Sequence, residues 1–341
     1  MATMEALVFQ GPGRYGVQSM PRPEVRRDDD VMVRPQAVGI CGTDLHVVEV
    51  PPGFPATPGT ILGHEFSAEV VAAGDQVGGL KVGDRVAIEP NIACMSCAYC
   101  KRGMPNQCLS LGLTGIERHG GLAEYCVMPA RNVHKIPDGL SYEVAALTEP
   151  LSCVLGGTEK VGLQPGETVV VLGAGPIGLL YLQVFRAAGA RKAVVVEPHP
   201  ARAEYARELG AHVVVDPKRE DVVARVMEET EIGGDVVVDA VGNQIASALK
   251  LGRRGAAIVL FGINLNAQET VRQFDITRQE YRVLGSFIGS YNFPQSLHVL
   301  ASGAIDAERM ITHRIGLYDV DAGMAELKSG RAIKVLVRPT T

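Results

Sequence analysis

The 341-residue sequence has no tryptophan, no surplus of positive charge and no apolar run approaching the roughly 18 residues of a membrane span. The missing run argues against a transmembrane helix. The opening stretch from Met1 to Gly13 also lacks the basic start and long apolar core of a signal peptide, so the expected location is the cytoplasm. A formal net charge of -5 gives no basic field for nucleic acid or an anionic membrane, and neither partner is expected. Seven cysteines leave one thiol over in any disulfide framework, and four of them crowd into positions 94–108, which points to metal. The absence of tryptophan beside 39 glycines indicates frequent turns and close backbone approaches, and names no function.

The chain exceeds the roughly 250–300 residues at which a single core stops growing, so two cores are expected. Hydrophobic residues at 46% and charged residues at 21% are ordinary globular values. The first 150 or so residues are punctuated by Gly and Pro, with short β-branched runs at Val31 to Val33 and Glu69 to Val71, and read as β-rich. From about Glu167 apolar strands alternate with helical patterns, the signature of a parallel sheet covered on both faces. The predicted strands are Thr168 to Leu172, Ala193 to Glu197, His212 to Val215, Asp235 to Asp239, Ala257 to Phe261 and Arg282 to Ser286. Helices are expected to start near Pro176, Pro200, Glu220, Asn243 and Val271, with one more from Pro294 to Ser302. The remaining tail, ending in the strand-like Ile333 to Val337, is too short for a domain and should return to the N-terminal one.

Cys94, Cys97, Cys100 and Cys108 form a C-x2-C-x2-C-x7-C run, and thiolates so spaced can converge on tetrahedral zinc. Four thiolates leave no open position, so this ion should fold a loop and take no part in chemistry. An iron–sulfur cluster also uses four thiolates, but at different spacings. Cys126 and Cys153 lie in apolar stretches and read as buried, inert thiols.

A second constellation begins with Cys41-Gly-Thr-Asp-Leu-His46 and continues with Gly63-His64-Glu65. Catalytic zinc needs about three protein ligands and one open position. Cys41 and His64 supply two. The third candidate is Glu149, an acid stranded in an apolar run where burial is costly unless it is paired or metal-bound. Glu65 competes for that role and could serve as an outer or transient ligand. A zinc ion there would ease hydride departure from an alcohol carbon, Thr43 and His46 would relay the released proton, and Asp44 would brace His64.

Gly173-Ala174-Gly175-Pro176-Ile177-Gly178 fits G-x-G-x-x-G between a strand and a helix, and Glu197 ends the next strand nineteen residues after Gly178. The glycines admit a pyrophosphate to the backbone at a helix N-terminus. Glu197 should accept from the ribose hydroxyls and repel a 2′-phosphate, favouring NAD over NADP; Arg202 could contact the ribose or accommodate a phosphate.

These motifs, with Gly83-Asp-Arg-Val86, Gly120-Gly-Leu-Ala-Glu-Tyr125 and Glu149-Pro-Leu151, resemble the zinc-containing medium-chain dehydrogenases, most closely their sorbitol (polyol) and threonine dehydrogenase branches. The resemblance implies an α/β chain. A GroES-like β-rich catalytic domain would span 1–152, completed by 287–341, and a Rossmann doubly wound parallel sheet would span 153–286, with the active site in the cleft. It further implies one catalytic zinc on Cys41, His64 and a third ligand, and one structural zinc on the four-cysteine run. Ile177, Glu197 and Arg202 would line the cofactor near the main chain of Gly262, Ile263 and Ser286. Homodimers or homotetramers are usual in that family. The expected activity is NAD-dependent oxidation of a secondary alcohol on a small polar, polyol or sugar-derived substrate. Threonine or a butanediol-type diol is the second substrate reading, and a non-catalytic nucleotide-binding redox sensor is the alternative from a different class. Phe54, Leu113, Glu117, Arg118, Phe287 and Tyr291 are candidates for substrate choice.

Overall fold

The computed structural model describes residues 2–340 and divides into two compact units, Met1–Ser152 with Ser290–Ser302 and Ala307–Thr341, and Cys153–Gly289 with Gly303–Asp306. The divide falls inside the helix Thr148–Val161, whose first turn carries Glu149.

The first unit is built on a seven-stranded sheet in the order Ile311–Gly316, Lys334–Arg338, Asp30–Gly39, Glu65–Ala73, Arg85–Ile88 and Val133–Lys135, with Cys126–Pro129 pairing onto Asp30–Gly39. The hairpin of Thr3–Gly11 and Arg14–Pro21 stands beside it as a separate two-stranded sheet. Chain order and sheet order differ because the apolar tail pairs with the first strand of the sheet in chain order: Lys334–Arg338 runs antiparallel to Asp30–Gly39, with Leu336 opposite Gly39. Gly39 is also opposite Glu65 on its other side. Phe9, Val33, Phe66, Val70, Ile88, Leu122 and Met128 are buried together in this core, each worth roughly 1.5–3 kcal/mol of transfer free energy if large and fully enclosed.

The second unit holds a six-stranded, wholly parallel sheet in the order Val213–Val215, Lys192–Val196, Thr168–Leu172, Gly234–Asp239, Gly252–Leu260 and Arg282–Gly285. All five residues of Thr168–Leu172 are buried, as a central strand covered on both faces requires. The strand order reverses beside it, the switch point at which doubly wound sheets bind ligands. Helix starts differ slightly from expectation. The helix expected near Glu220 begins at Val222 because the Asp221 side chain accepts from Ala224 N at 3.1 Å and so caps it. Those expected near Asn243 and Val271 begin at Ile245 and Gln273.

Candidate active site

Cys41 ends the extended segment after Asp30–Gly39 and stands at the N-terminus of the helix Gly42–Val48. Its N–H donates to Asp44 Oδ2 at 2.9 Å, a local bond that turns the chain into the helix and fixes where the thiol points. His64 directly precedes the strand Glu65–Ala73, which runs antiparallel to Asp30–Gly39. The pairing therefore brings Cys41, His64 and Glu65 together, and one ligand atom of each lies within 4.8 Å of the others.

This cluster is buried and unbalanced in charge. His64, Glu65, Asp44 and Glu149 are 8%, 1%, 1% and 7% exposed, which sets several acidic groups and a thiol against His64 and one ammonium. That ammonium is Lys334, a residue that sequence reading did not place in the site. Its Nζ pairs with Glu65 Oε2 at 2.5 Å. Burial pushes the Lys334 ammonium down, but Glu65, Cys41 and Glu149 outweigh it and hold it charged. Burial likewise works against protonated His64, while Asp44, Cys41 and Glu149 raise it well above the ordinary histidine value. Burial also raises Asp44, with the His64 charge acting the other way. His64 Nδ1 and Asp44 Oδ1 face each other at 3.7 Å, and neither has a hydrogen-bond partner. Buried anions in excess, with orphaned polar atoms beside a thiol, an imidazole and a carboxylate, are the environment a divalent cation satisfies, and this donor set suits zinc.

Glu65 falls inside the geometric cluster. Glu149 falls outside it, although its charge acts on both His64 and Lys334. Thr43 Oγ1 lies 3.7 Å from Cys41 Sγ, and His46 follows one helical turn later on the same face. His46 Nδ1 contacts Glu49 Oε2 at 3.1 Å, a second partner that motif reading missed.

The four-cysteine run forms a separate lobe whose sulfurs all lie within 4.8 Å of one another, a spread that encloses the about 3.8 Å sulfur separation of a tetrahedral zinc–thiolate site. Among the described residues its apolar cluster is Ala93, Cys100 and Cys108 with Cys97 and Leu111 against them, a small core for such a loop. Main-chain N–H groups point at the sulfurs: Cys94 N reaches Cys108 Sγ at 3.2 Å, and Cys97 N reaches Cys94 Sγ at 3.4 Å. Donors from Ser96 and Cys97 push the Cys94 thiol down to about 6, whereas burial and its sulfur neighbours push Cys100 up to about 12. Cys126 is buried and its thiol is pushed up to about 12 by that burial, an inert group.

In the second unit the strand Thr168–Leu172 leads into the glycine turn and the helix Pro176–Ala187, which begins at the motif's Pro176 and Ile177 with Gly175 as its cap. Gly178 lies so close under the turn that a Cβ there would stand 1.9 Å from Gly173 O. Glu197 is turned inward: Oε2 accepts from Ala174 N at 2.7 Å and Oε1 from His199 N at 2.8 Å. It thus braces the glycine turn while each oxygen keeps a further acceptor lone pair. Arg202 occupies the first turn of the helix Pro200–Glu208. Gly262 and Ile263 follow the strand Gly252–Leu260, and Ser286 N donates to Leu260 O at 3.0 Å. Of the loop residues proposed for substrate choice, Leu113 N donates to Glu117 Oε2 at 3.2 Å, Phe54 packs on the first unit's core, and Tyr291 is exposed.

Residues 27–138 match the family model for the alcohol dehydrogenase GroES-like domain, and residues 176–302 match that for zinc-binding dehydrogenase. The chain is 32% identical to the sorbitol dehydrogenase of Bacillus subtilis, with 98% of this chain and 97% of that protein covered. It is 34% identical to the D-arabitol-phosphate dehydrogenase of Enterococcus avium over 98% and 97% of the two chains. Among solved structures, a zinc-binding dehydrogenase type of protein from Sinorhizobium meliloti with NADP bound superposes with a TM-score of 0.94 at 36% identity, covering 99% of this chain and 100% of that one.

Proposed function

We infer that this chain, which belongs to the zinc-containing medium-chain alcohol dehydrogenases, oxidises a secondary alcohol of a polyol or sugar-derived substrate with NAD as the hydride acceptor. The observation that carries the reading is the buried meeting of Cys41, His64 and Glu65 beside Thr43. When bound, zinc supplies a Lewis acid that favours loss of the substrate's hydroxyl proton, and a nicotinamide supplies the hydride acceptor.

The chain's own residues do the rest. Cys41, His64 and an acid would hold the ion, Glu65 from within the cluster or Glu149 from beside it, and Asp44 would set the His64 ring. The Thr43 hydroxyl would accept the substrate proton as it passes its own on toward His46. His46, its side chain 43% exposed, hands the proton to solvent: with Nδ1–H donated to Glu49, Nε2 is left to accept. The glycine turn and the helix start at Pro176 receive the dinucleotide phosphates, and Glu197 adds a negative charge that supports NAD over NADP. Cys94, Cys97, Cys100 and Cys108 would hold the structural ion. The same reading makes the enzyme a cytoplasmic homodimer or homotetramer; among the described residues no helix is long and apolar enough to cross a membrane.

The names of the two relatives support a polyol or polyol-phosphate substrate. The test is absorbance at 340 nm with NAD and with NADP against polyols, polyol phosphates, threonine and butanediols. The expected result is reduction of NAD by a polyol. Binding of NAD without reduction by any of them favours the sensor reading instead.

A further inference from the structure

Among the described residues Tyr181 is the largest fully buried side chain, and it carries a hydroxyl that burial makes costly unless it is paired. Its ring is held on two sides, tilted against Phe185 at 5.5 Å and edge-on to Phe261 at 5.4 Å, which fixes where the hydroxyl lies. That place is over the bare backbone of Gly157 in the helix Thr148–Val161, where a Cβ would stand 1.8 Å from the Tyr181 hydroxyl and 3.1 Å from Ser286 Oγ. The two hydroxyls thus share one pocket. Burial raises the Tyr181 hydroxyl far above its ordinary value, and the Ser286 hydroxyl, as a hydrogen-bonding neighbour, works the other way. Among the described residues neither oxygen has another hydrogen-bond partner.

Ser286 stands at the carboxyl end of the strand Arg282–Gly285, in the half of the parallel sheet across the switch point from Glu197. A dinucleotide lies over that point with one nucleotide on each half, so an adenosine ribose at Glu197 puts the nicotinamide on the half that ends in Ser286. This strand end is fixed from other sides too: Lys160 Nζ donates to Gly285 O at 2.9 Å, and Ser286 N donates to Leu260 O at 3.0 Å. Just beyond it Ile288 has a φ of 43°, a left-handed conformation that a β-branched residue keeps only where its surroundings hold it. Tyr181 itself belongs to the helix Pro176–Ala187, one turn after Ile177. Its hydroxyl therefore joins the helix that would receive the phosphates to the strand end of the nicotinamide half.

We propose that Tyr181 is a positioning residue that, through the Ser286 hydroxyl, holds the end of the strand Arg282–Gly285 in place for the nicotinamide half of the cofactor. This rests on the dinucleotide reading above. Tyr181 is fully buried, so it acts through the main chain at Ser286 and makes no contact of its own with the ligand. Without the pairing that main chain is free to shift, and the nicotinamide half loses contacts. The adenosine half, seated on Glu197 and the glycine turn, keeps its own.

The experiment uses the full chain as wild type, Y181F, S286A and the double variant, and titrates each by calorimetry with NAD and with ADP-ribose, which has the adenosine and both phosphates but no nicotinamide ring. Loss of one hydrogen bond changes an affinity by about 3- to 10-fold. Each single variant is expected to bind NAD more weakly by such a factor, while its affinity for ADP-ribose stays within about twofold of wild type. The double variant is expected to be no weaker than the worse single one, because both substitutions remove the same pairing. A merely structural loss would lower both affinities together. Unchanged NAD affinity in Y181F, a parallel fall for ADP-ribose, or fully additive losses in the double variant overturns the proposal. Should Y181F not fold, S286A carries the test with the same sign, because it removes the other hydroxyl. Wild type that binds neither ligand overturns the dinucleotide reading and this proposal with it, while wild type that binds both, with no effect of either substitution on NAD, overturns this proposal alone.

Discussion

Replacing Gly178 with alanine should damage nucleotide binding through a contact only one atom wide. The added Cβ would stand 1.9 Å from Gly173 O, where real Cβ atoms stay beyond 3.0 Å, so helix and turn must separate by roughly 1 Å. The carbonyl has little freedom to swing aside, because Gly173 N is bonded to Val196 O at 2.9 Å and Ala174 N to Glu197 at 2.7 Å. Overpacking of this kind costs about 1–3 kcal/mol. The part that moves is the N-terminus of the helix Pro176–Ala187, whose free N–H groups would face the dinucleotide phosphates. If the displacement is expressed in binding, NAD affinity falls by about 10- to 100-fold, at about 1.4 kcal/mol per factor of ten. Titration calorimetry with NAD and a thermal scan of G178A would measure both consequences. An NAD affinity within about twofold of wild type at an unchanged Tm would refute the reasoning, because the turn would then have absorbed the atom without cost.

Three further outcomes follow from the same geometry. C100S should lose the lobe's metal and become open to trypsin at Lys101 or Arg102 while NAD binding persists, since the lobe's own apolar cluster is so small; a protease-resistant, metal-free variant would contradict this. H46A should lower turnover by about 100-fold and regain part of it in concentrated imidazole buffer, as expected for a lost proton carrier, and steady-state rates would show whether it does. Glu143 is raised by burial, but Arg314 and Arg338 outweigh that and hold its carboxyl below the ordinary value of 4.5. Its folded value lies below its unfolded one, so its stabilisation is full above the unfolded value and is lost as pH falls through the folded value. E143Q should therefore be less stable than wild type near neutrality by roughly 1 kcal/mol, and the gap should close in acid; a gap that stays constant with pH in urea melts would count against the pairing.

The sequence disclosed most where local pattern and function coincide. Fully buried parallel strands such as Thr168–Leu172 appear as unbroken β-branched runs, and the glycine turn declares itself by its place between strand and helix. The four-cysteine lobe needs only its spacing, because its sulfurs belong to near neighbours along the chain. Legibility fails for contacts made by remote pairing. The strand Ile311–Gly316 lies in sequence that carries no clear alternation, and it forms because Lys334–Arg338 offers it a parallel edge. Lys334 meets Glu65 across 269 positions of sequence, a distance no window spans. The signal for it was present nonetheless: a lone charge in an apolar run, the same feature that singled out Glu149. Glu49 carried no such mark, being an exposed-type residue whose value comes from lying one helical turn beyond His46. Glu197 was legible as a strand-end acid, but its bonds to Ala174 N and His199 N depend on backbone directions that only the folded turn defines.

The most direct trial of the metal-dependent chemistry is elemental analysis of zinc in purified wild type, C41A and H64A, with NAD binding and polyol oxidation measured on the same preparations. Two zinc ions per wild-type chain, one in each variant, intact NAD binding in all three and turnover in wild type alone is the predicted result. A single zinc in wild type, or undiminished turnover in either variant, would contradict it.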